Sequence, residues 1–265
     1  MFRSTYTSTS VRFLPGPVAV CIFLALLPTY AAAQTVTDST FLNANWIGTQ
    51  FVSGNGGAST GLQVVAGGNP GPYRNVTDQL NAAPAGSQTI VLSTHIYAPF
   101  TYDPSASGAI GSLDYSEDAA CTAGCFGAGQ STGPALIQGG TLYILSSSSV
   151  VTGPGLAWLP HALSALTAAD FGAVDVTPFT IFDNAQHPNF SAGGAPLQFG
   201  FFRANGTILN GGVYTLAAGI DNWQTTLVRA PPASATAAPA DGNLGLVVLA
   251  DILATLAMVF LRRTG

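Results

Sequence analysis

Short runs with an apolar residue at every second position, each closed by a glycine- or proline-bearing turn, are what most limit the folds open to this chain. Ile90, Leu92 and Ile96 alternate with Ser93, His95 and Tyr97, and Leu113 and Tyr115 alternate with Asp114 and Ser116. Leu142 and Ile144 alternate with Thr141, Tyr143 and Leu145, while Leu197, Phe199 and Phe201 keep the same period. A period of two among β-branched and aromatic residues predicts strands that turn one face to a core. His95 then points outward. Turn signals separate the runs at Gly54-Asn55-Gly56-Gly57, Gly67-Gly68-Asn69-Pro70-Gly71, Asp103-Pro104, Gly153-Pro154-Gly155 and Asn210-Gly211-Gly212. No long stretch shows a helical period. In His161 to Phe171, residues Leu163, Leu166 and Phe171 fit a short helix or a strand and turn equally well. The pattern predicts an all-β fold, an antiparallel β-sandwich.

Both ends of the chain depart from this pattern. Arg3 and Arg12 precede the apolar run Val18 to Leu27, and Ala31-Ala32-Ala33 then supplies small residues ahead of Gln34. That order is the order of a secretory signal peptide, expected over residues 1–33 with cleavage before Gln34. At the other end, Leu244 to Leu261 is almost wholly apolar and Arg262-Arg263 follows. About 20 apolar residues span a bilayer, and positive charge stays on the cytoplasmic side. Residues 242–265 are therefore expected to form a single transmembrane helix or sorting segment, making the membrane itself a partner. Between it and the domain, residues 230–241 carry Pro231-Pro232-Ala233-Ser234 and Pro239 with no large apolar side chain, and read as an extended tether. The domain proper is then 34–229, exported and held at the cell envelope or outside it.

Charge excludes one class of partner. The chain has no lysine, and between Asp38 and Arg229 three arginines (Arg74, Arg203 and Arg229) face ten acidic residues. Such a surface does not neutralise phosphates, so nucleic acid is not expected. Of three cysteines, Cys21 falls within the signal's apolar run. Cys121 and Cys125 are left as a closely spaced pair in a glycine-rich loop, and export favours a disulfide over a metal site.

The layout of signal, β-domain, Pro/Ala tether, apolar segment and terminal arginines resembles bacterial PEP-CTERM-type surface proteins. That resemblance implies processing of the tail by an exosortase-type enzyme. Gly67-Gly68-Asn69-Pro70-Gly71-Pro72-Tyr73, Leu113-Asp114-Tyr115-Ser116 and the late strand around Asp221-Asn222-Trp223 resemble extracellular jelly-roll domains of the laminin-IV and carbohydrate-binding kind, while Phe199-Gly200-Phe201-Phe202-Arg203-Ala204 and Gly219-Ile220-Asp221-Asn222-Trp223 resemble bacterial surface proteins. The resemblance implies a jelly-roll β-sandwich over most of residues 38–228, and location more than activity.

Three groups of residues carry candidate chemistry. Asp114, Glu117 and Asp118 place three carboxylates within five positions, which suits hard oxygen ligation of calcium or, less well, the paired carboxylates of glycoside cleavage. The plain alternative is a solvated acidic turn. Trp158, in Gly155-Leu156-Ala157-Trp158-Leu159-Pro160, reads as a loop aromatic suited to stacking on a ligand, whereas Trp46 and Trp223 read as core residues. His95, His161 and His187 read as solvated or structural, since no Gly-x-Ser-x-Gly elbow exposes a nucleophile for them to serve. The expectation is a non-catalytic, surface-anchored sandwich with a structural or adhesive role. No cofactor is expected apart from calcium at the acidic cluster. The alternatives are a carbohydrate-binding module for extracellular polysaccharide and a hydrolase with an unrecognised site.

Overall fold

Two antiparallel sheets make the body of the molecule in a computed structural model that describes residues 33–124, 129–147, 149–151 and 157–231. The first sheet runs in the order β10 (Leu159–Leu166), β6 (Ile110–Ala123), β14 (Tyr214–Arg229), β4 (Gly71–Leu80), β3 (Gly57–Gly68), with β1 (Ala33–Asp38) also paired to β14. The second runs β12 (Thr180–Asp183), β11 (Phe171–Thr177), β8 (Thr141–Leu145), β7 (Gln130–Gln138), β13 (Leu197–Gly206), β5 (Ile90–Tyr97), β2 (Trp46–Ser53), with β9 (Ser149–Val151) off β7. Every pairing is antiparallel. The expected all-β sandwich is the architecture observed, and His161 to Phe171 resolves as a strand followed by a 3-10 turn at Ala168–Asp170.

Turn chemistry sits where the sequence signals fell. Gly54 and Gly56 adopt positive φ in the connection that crosses from β2 to β3, and Gly67 and Gly71 do so at the β3–β4 turn. Asp103 caps the short helix α1 (Pro104–Ser107) by accepting from the Ser105 N–H at 2.9 Å.

Leu113, Tyr115, Ile220, Trp223 and Leu227 of the first sheet face Phe199, Phe201 and Leu136 of the second in one apolar core. Strand β5 does not obey the expected one-sided alternation, because it is buried along nearly its whole length. The second sheet rolls: β11 comes into contact with β2 and β5, although other strands separate them in the sheet. Ile96, Leu92 and Phe202 are covered on one face, while Ser93 and His95 look toward the first sheet.

Candidate functional site

Strand β2 ends one sheet and β3 ends the other, and these two edges are tied together at two places. Gln50 of β2 accepts from the Ser59 N–H at 2.7 Å and donates to the Gly57 carbonyl at 3.3 Å. Farther along, Gln63 of β3 donates its backbone N–H to Asn43 Oδ1 at 2.9 Å and its side-chain amide to the Thr40 carbonyl at 2.7 Å. Between the ties Gly48 and Gly61 leave a cleft of about 340 Å³. A Cβ on Gly61 would collide with the His95 ring and come within 3.0 Å of Arg74 Nε, and one on Gly48 would touch His95 at 3.6 Å. The missing side chains are what open the way inward.

Arg74 and His95 form the floor. Arg74 is 4% exposed, and its guanidinium donates from Nη2 to the Gly61 carbonyl (2.6 Å), from Nη1 to Asn43 Oδ1 (3.2 Å) and from Nε to His95 Nδ1 (3.3 Å). All three acceptors are neutral, and among the described residues no carboxylate lies within ion-pair distance of it. Burial lowers its pKa to about 10 despite the opposing field of Asp38. Burial, then the charges of Arg74 and Arg203, hold the His95 pKa well below the ordinary imidazole value. The ring is therefore neutral, and with Nδ1 accepting from Arg74 its proton sits on Nε2, facing Ser93 Oγ at 3.2 Å. Ser59 Oγ closes the chain on Ser93 at 2.8 Å. The expectation that His95 points outward is thus corrected: it is 2% exposed and stacks on Phe201, because β5 lies inside a rolled sheet.

Trp158 lies on the outer face of the first sheet. Its indole N–H donates to the Gly67 carbonyl at 3.1 Å, and Tyr73 packs edge-on against it at 5.2 Å. Both rings rest over Gly219, where a Cβ would meet Trp158 at 2.7 Å and Tyr73 at 2.9 Å. Both aromatics are half-buried. Beside them Thr122 of β6 donates to Asn75 of β4 at 2.7 Å across the small residues of β14. Farther along the same face, Asp114, Ser116, Ser164 and Gln224 line a shallow groove of about 280 Å³.

The structure does not bring Asp114, Glu117 and Asp118 together as the group of three that their spacing suggested. They lie on one strand, β6, where alternate residues face opposite ways. Glu117 points inward, pairs with Arg203 at 3.1 Å, and accepts from Tyr115 (2.5 Å) and Thr132 (2.7 Å). Outside, Asp114 accepts from the Ala165 N–H, while Asp118 accepts from Asn69 and Asn222. No group of three or more His, Cys, Asp or Glu among the described residues is placed to hold a metal ion.

Cys121 is disulfide-bonded, and Cys125, its expected partner, lies outside the described residues. So do the signal peptide, nearly all of the tether and the segment Leu244 to Leu261. Among the described residues no helix is long and apolar enough to cross a membrane. His187 has a structural place, with Nδ1 at 2.6 Å from the Phe171 carbonyl. Sequence reading missed Arg74, Gly48 and Gly61. The available signal was a glycine inside a strand-like run, which marks a close approach or an opening.

No family model matches the chain, and no curated protein matches it. Among solved structures the fold is similar to the CBM22-1 xylan-binding domain of Paenibacillus barcinonensis Xyn10C, at 9% identity and a TM-score of 0.37, over 76% of this chain and 98% of that one. It is also similar to the CBM22-1–GH10 modules of Clostridium thermocellum endo-1,4-beta-D-xylanase 10B, complexed with xylohexaose. There the identity is 13% and the TM-score 0.30, over 78% of this chain and 30% of that one. Similarity at this level carries nothing about ligand, so the sites have to be read from the chain's own residues.

Proposed function

We propose that this is an exported, envelope-held adhesion module of jelly-roll type, without enzymatic activity, whose adhesion is to extracellular polysaccharide. The observation that carries the reading is the Trp158–Tyr73 pair set over Gly219 on the outer sheet face. An aromatic ring with one apolar surface toward solvent suits the C–H face of a sugar ring, and neighbouring amides and hydroxyls suit its OH groups. Asn75, Thr122, Ser116 and Gln224 supply such groups along the same face. The non-catalytic part is supported by where the carboxylates lie. Glu117 is sealed in the core, Asp114 and Asp118 are engaged with neighbouring amides, and no Asp or Glu lines the cleft between β2 and β3. Export, anchoring and exosortase-type processing rest on residues 1–33 and 242–265 as sequence.

The test is a glycan array probed with the full-length protein and with Trp158→Ala and Gly219→Ala. Binding to a defined polysaccharide class that drops at least tenfold in both variants is expected. An array on which the wild-type protein retains nothing would leave a purely structural role.

A further inference from the structure

Two arginines are deeply buried, and they are treated differently. Arg203 has Glu117, bonded to both carboxylate oxygens at 3.1 and 3.3 Å. Arg74 has three neutral acceptors and no ion partner among the described residues, yet it lines a cleft that reaches solvent. An uncompensated buried charge is expensive to keep, and such a group is retained where something supplies the counter-charge.

We propose that the cleft between β2 and β3 binds a carboxylate group, with Arg74 as its counter-ion. A guanidinium has five N–H donors, and three are engaged, one on each nitrogen. One N–H remains on each terminal nitrogen, and two such donors are what a bidentate grip on a carboxylate requires. No Asp or Glu lines the cleft, so an entering anion meets no like charge there. The nearest acidic influence is Asp38, whose oxygens already accept from Thr40, Phe41 and Trp46. His95 stays neutral and occupies Nε, which fixes the guanidinium plane. Gln50 and Thr49 at the mouth offer amide and hydroxyl groups to whatever carries the carboxylate. A volume of about 340 Å³ admits a single sugar acid or the acidic end of a longer chain. This site is separate from the Trp158 face and stands or falls independently of it.

Titration of the full-length protein with D-glucuronate and with D-glucose, followed by NMR or calorimetry, tests the assignment. Saturable binding of glucuronate at least tenfold tighter than glucose is expected, weakening as salt is raised. Arg74→Gln should abolish it. Because that variant removes three hydrogen bonds that tie β4 to its neighbours, Gly48→Leu is the second probe: it fills the cleft beside His95 and keeps the charge. It should abolish binding with an unchanged circular dichroism spectrum, while Trp158→Ala should leave glucuronate binding unchanged. Competition by acetate would mark a free small carboxylate as sufficient, and its absence would mark the sugar acid as the recognised unit. Equal affinity for glucuronate and glucose, no binding of either, or binding that survives Gly48→Leu would overturn the proposal.

Discussion

The interior of this sandwich has two ends built on opposite principles. At one end Trp46 is the centre of an aromatic cluster, with Trp223 edge-on at 5.0 Å, Phe201 at 5.2 Å, Tyr97 at 5.3 Å and Phe41 stacked at 5.7 Å. Its one polar tie is the indole N–H of Trp46 on Asp38, at 2.8 Å. At the other end the sheets are joined by polar pairs: Glu117 to Arg203, Asp78 to Gln130 at 2.6 Å, and Tyr214 to Asn205 at 2.5 Å. Several atoms there have no protein partner, among them Arg203 Nε and Nη2, Asp78 Oδ1 and Asn205 Nδ2. The aromatic end is stabilised by area and contact, which tolerate imprecision. The polar end depends on matched partners, because a buried charge left alone costs more than the pair contributes. Arg74 belongs to the polar principle, and of the two buried arginines among the described residues it is the one that lines a cleft open to solvent.

The largest effects should come from breaking each end at its centre. Trp46→Ala is expected to cost about 3–5 kcal/mol in chemical denaturation. Glu117→Gln should cost about as much, since it strands Arg203 in the core, and truncation of one partner of such a pair costs roughly 3–5 kcal/mol. Repair separates the two ends. Glu117→Leu combined with Arg203→Met, Tyr115→Phe and Thr132→Val should return to within about 1 kcal/mol of wild type, because apolar side chains then replace the pair and the two hydroxyls that would otherwise lose their acceptor. No single neighbouring change should do this for Trp46→Ala. If the combined variant is no more stable than Glu117→Gln, the polar end is not replaceable by apolar packing and the contrast fails.

The aromatic end was far more legible in the sequence than the polar one, for a physical reason. Alternation at Leu113, Tyr115, Leu197, Phe199 and Phe201 is a local signal, and the strands lie where it placed them. Trp46 and Trp223 were readable as core residues from their strand-like surroundings. Glu117 and Arg203 are 86 positions apart and meet only because β6 and β13 face each other across the sandwich. Glu117 therefore reads as part of an acidic run with Asp114 and Asp118, although it shares its face with Tyr115 and not with them. His95 was misplaced because alternation assumes one wet face, and the rolled second sheet leaves β5 none. Gly48 and Gly61 carry no side chain to announce a site. Trp158 was legible as a loop aromatic, but its partner Tyr73 comes from β4 and no local pattern joins them.

A smaller effect, of opposite sign, tests whether the polar end holds groups that would be better neutral. Burial pushes the Asp78 carboxyl up from 3.8 to about 6, against hydrogen bonds from Ser59 and Gln130 and the field of Arg203. Between about pH 4 and 6 the folded protein thus holds a proton that the unfolded chain has released, so this group lowers stability as pH rises through that window. Above about 6 the penalty is constant. Asp78→Asn keeps an acceptor for Gln130 and removes the ionisation. Its advantage over wild type should be near zero at pH 4 and reach on the order of 3 kcal/mol by pH 7, at about 1.4 kcal/mol per unit. His95 works the other way, since its depressed pKa costs stability as pH falls below about 6.5, but it does so in both proteins and cancels from the difference. A pH-independent difference would mean that Asp78 is ionised throughout.

The smallest change asks how much of the polar end is hydrogen bonding and how much is the ion pair itself. Tyr115 donates to Glu117 Oε2 at 2.5 Å, and burial together with the Glu117 charge holds its phenol pKa well above the ordinary value of 10. Tyr115→Phe keeps the ring in the core and deletes only that donor. A hydrogen bond to a charged group contributes about 1.5–3 kcal/mol. Glu117 still keeps Thr132 Oγ1 at 2.7 Å and Arg203 Nη1 at 3.1 Å, so the loss should fall near the lower figure. Thr132→Val should behave alike. Removing both donors leaves a buried carboxylate with arginine alone, so the double variant should cost more than the sum by about 0.5–1 kcal/mol, the sign of a shared network. Strict additivity in that cycle would assign the polar end to the Arg203–Glu117 pair and reduce the two hydroxyls to packing.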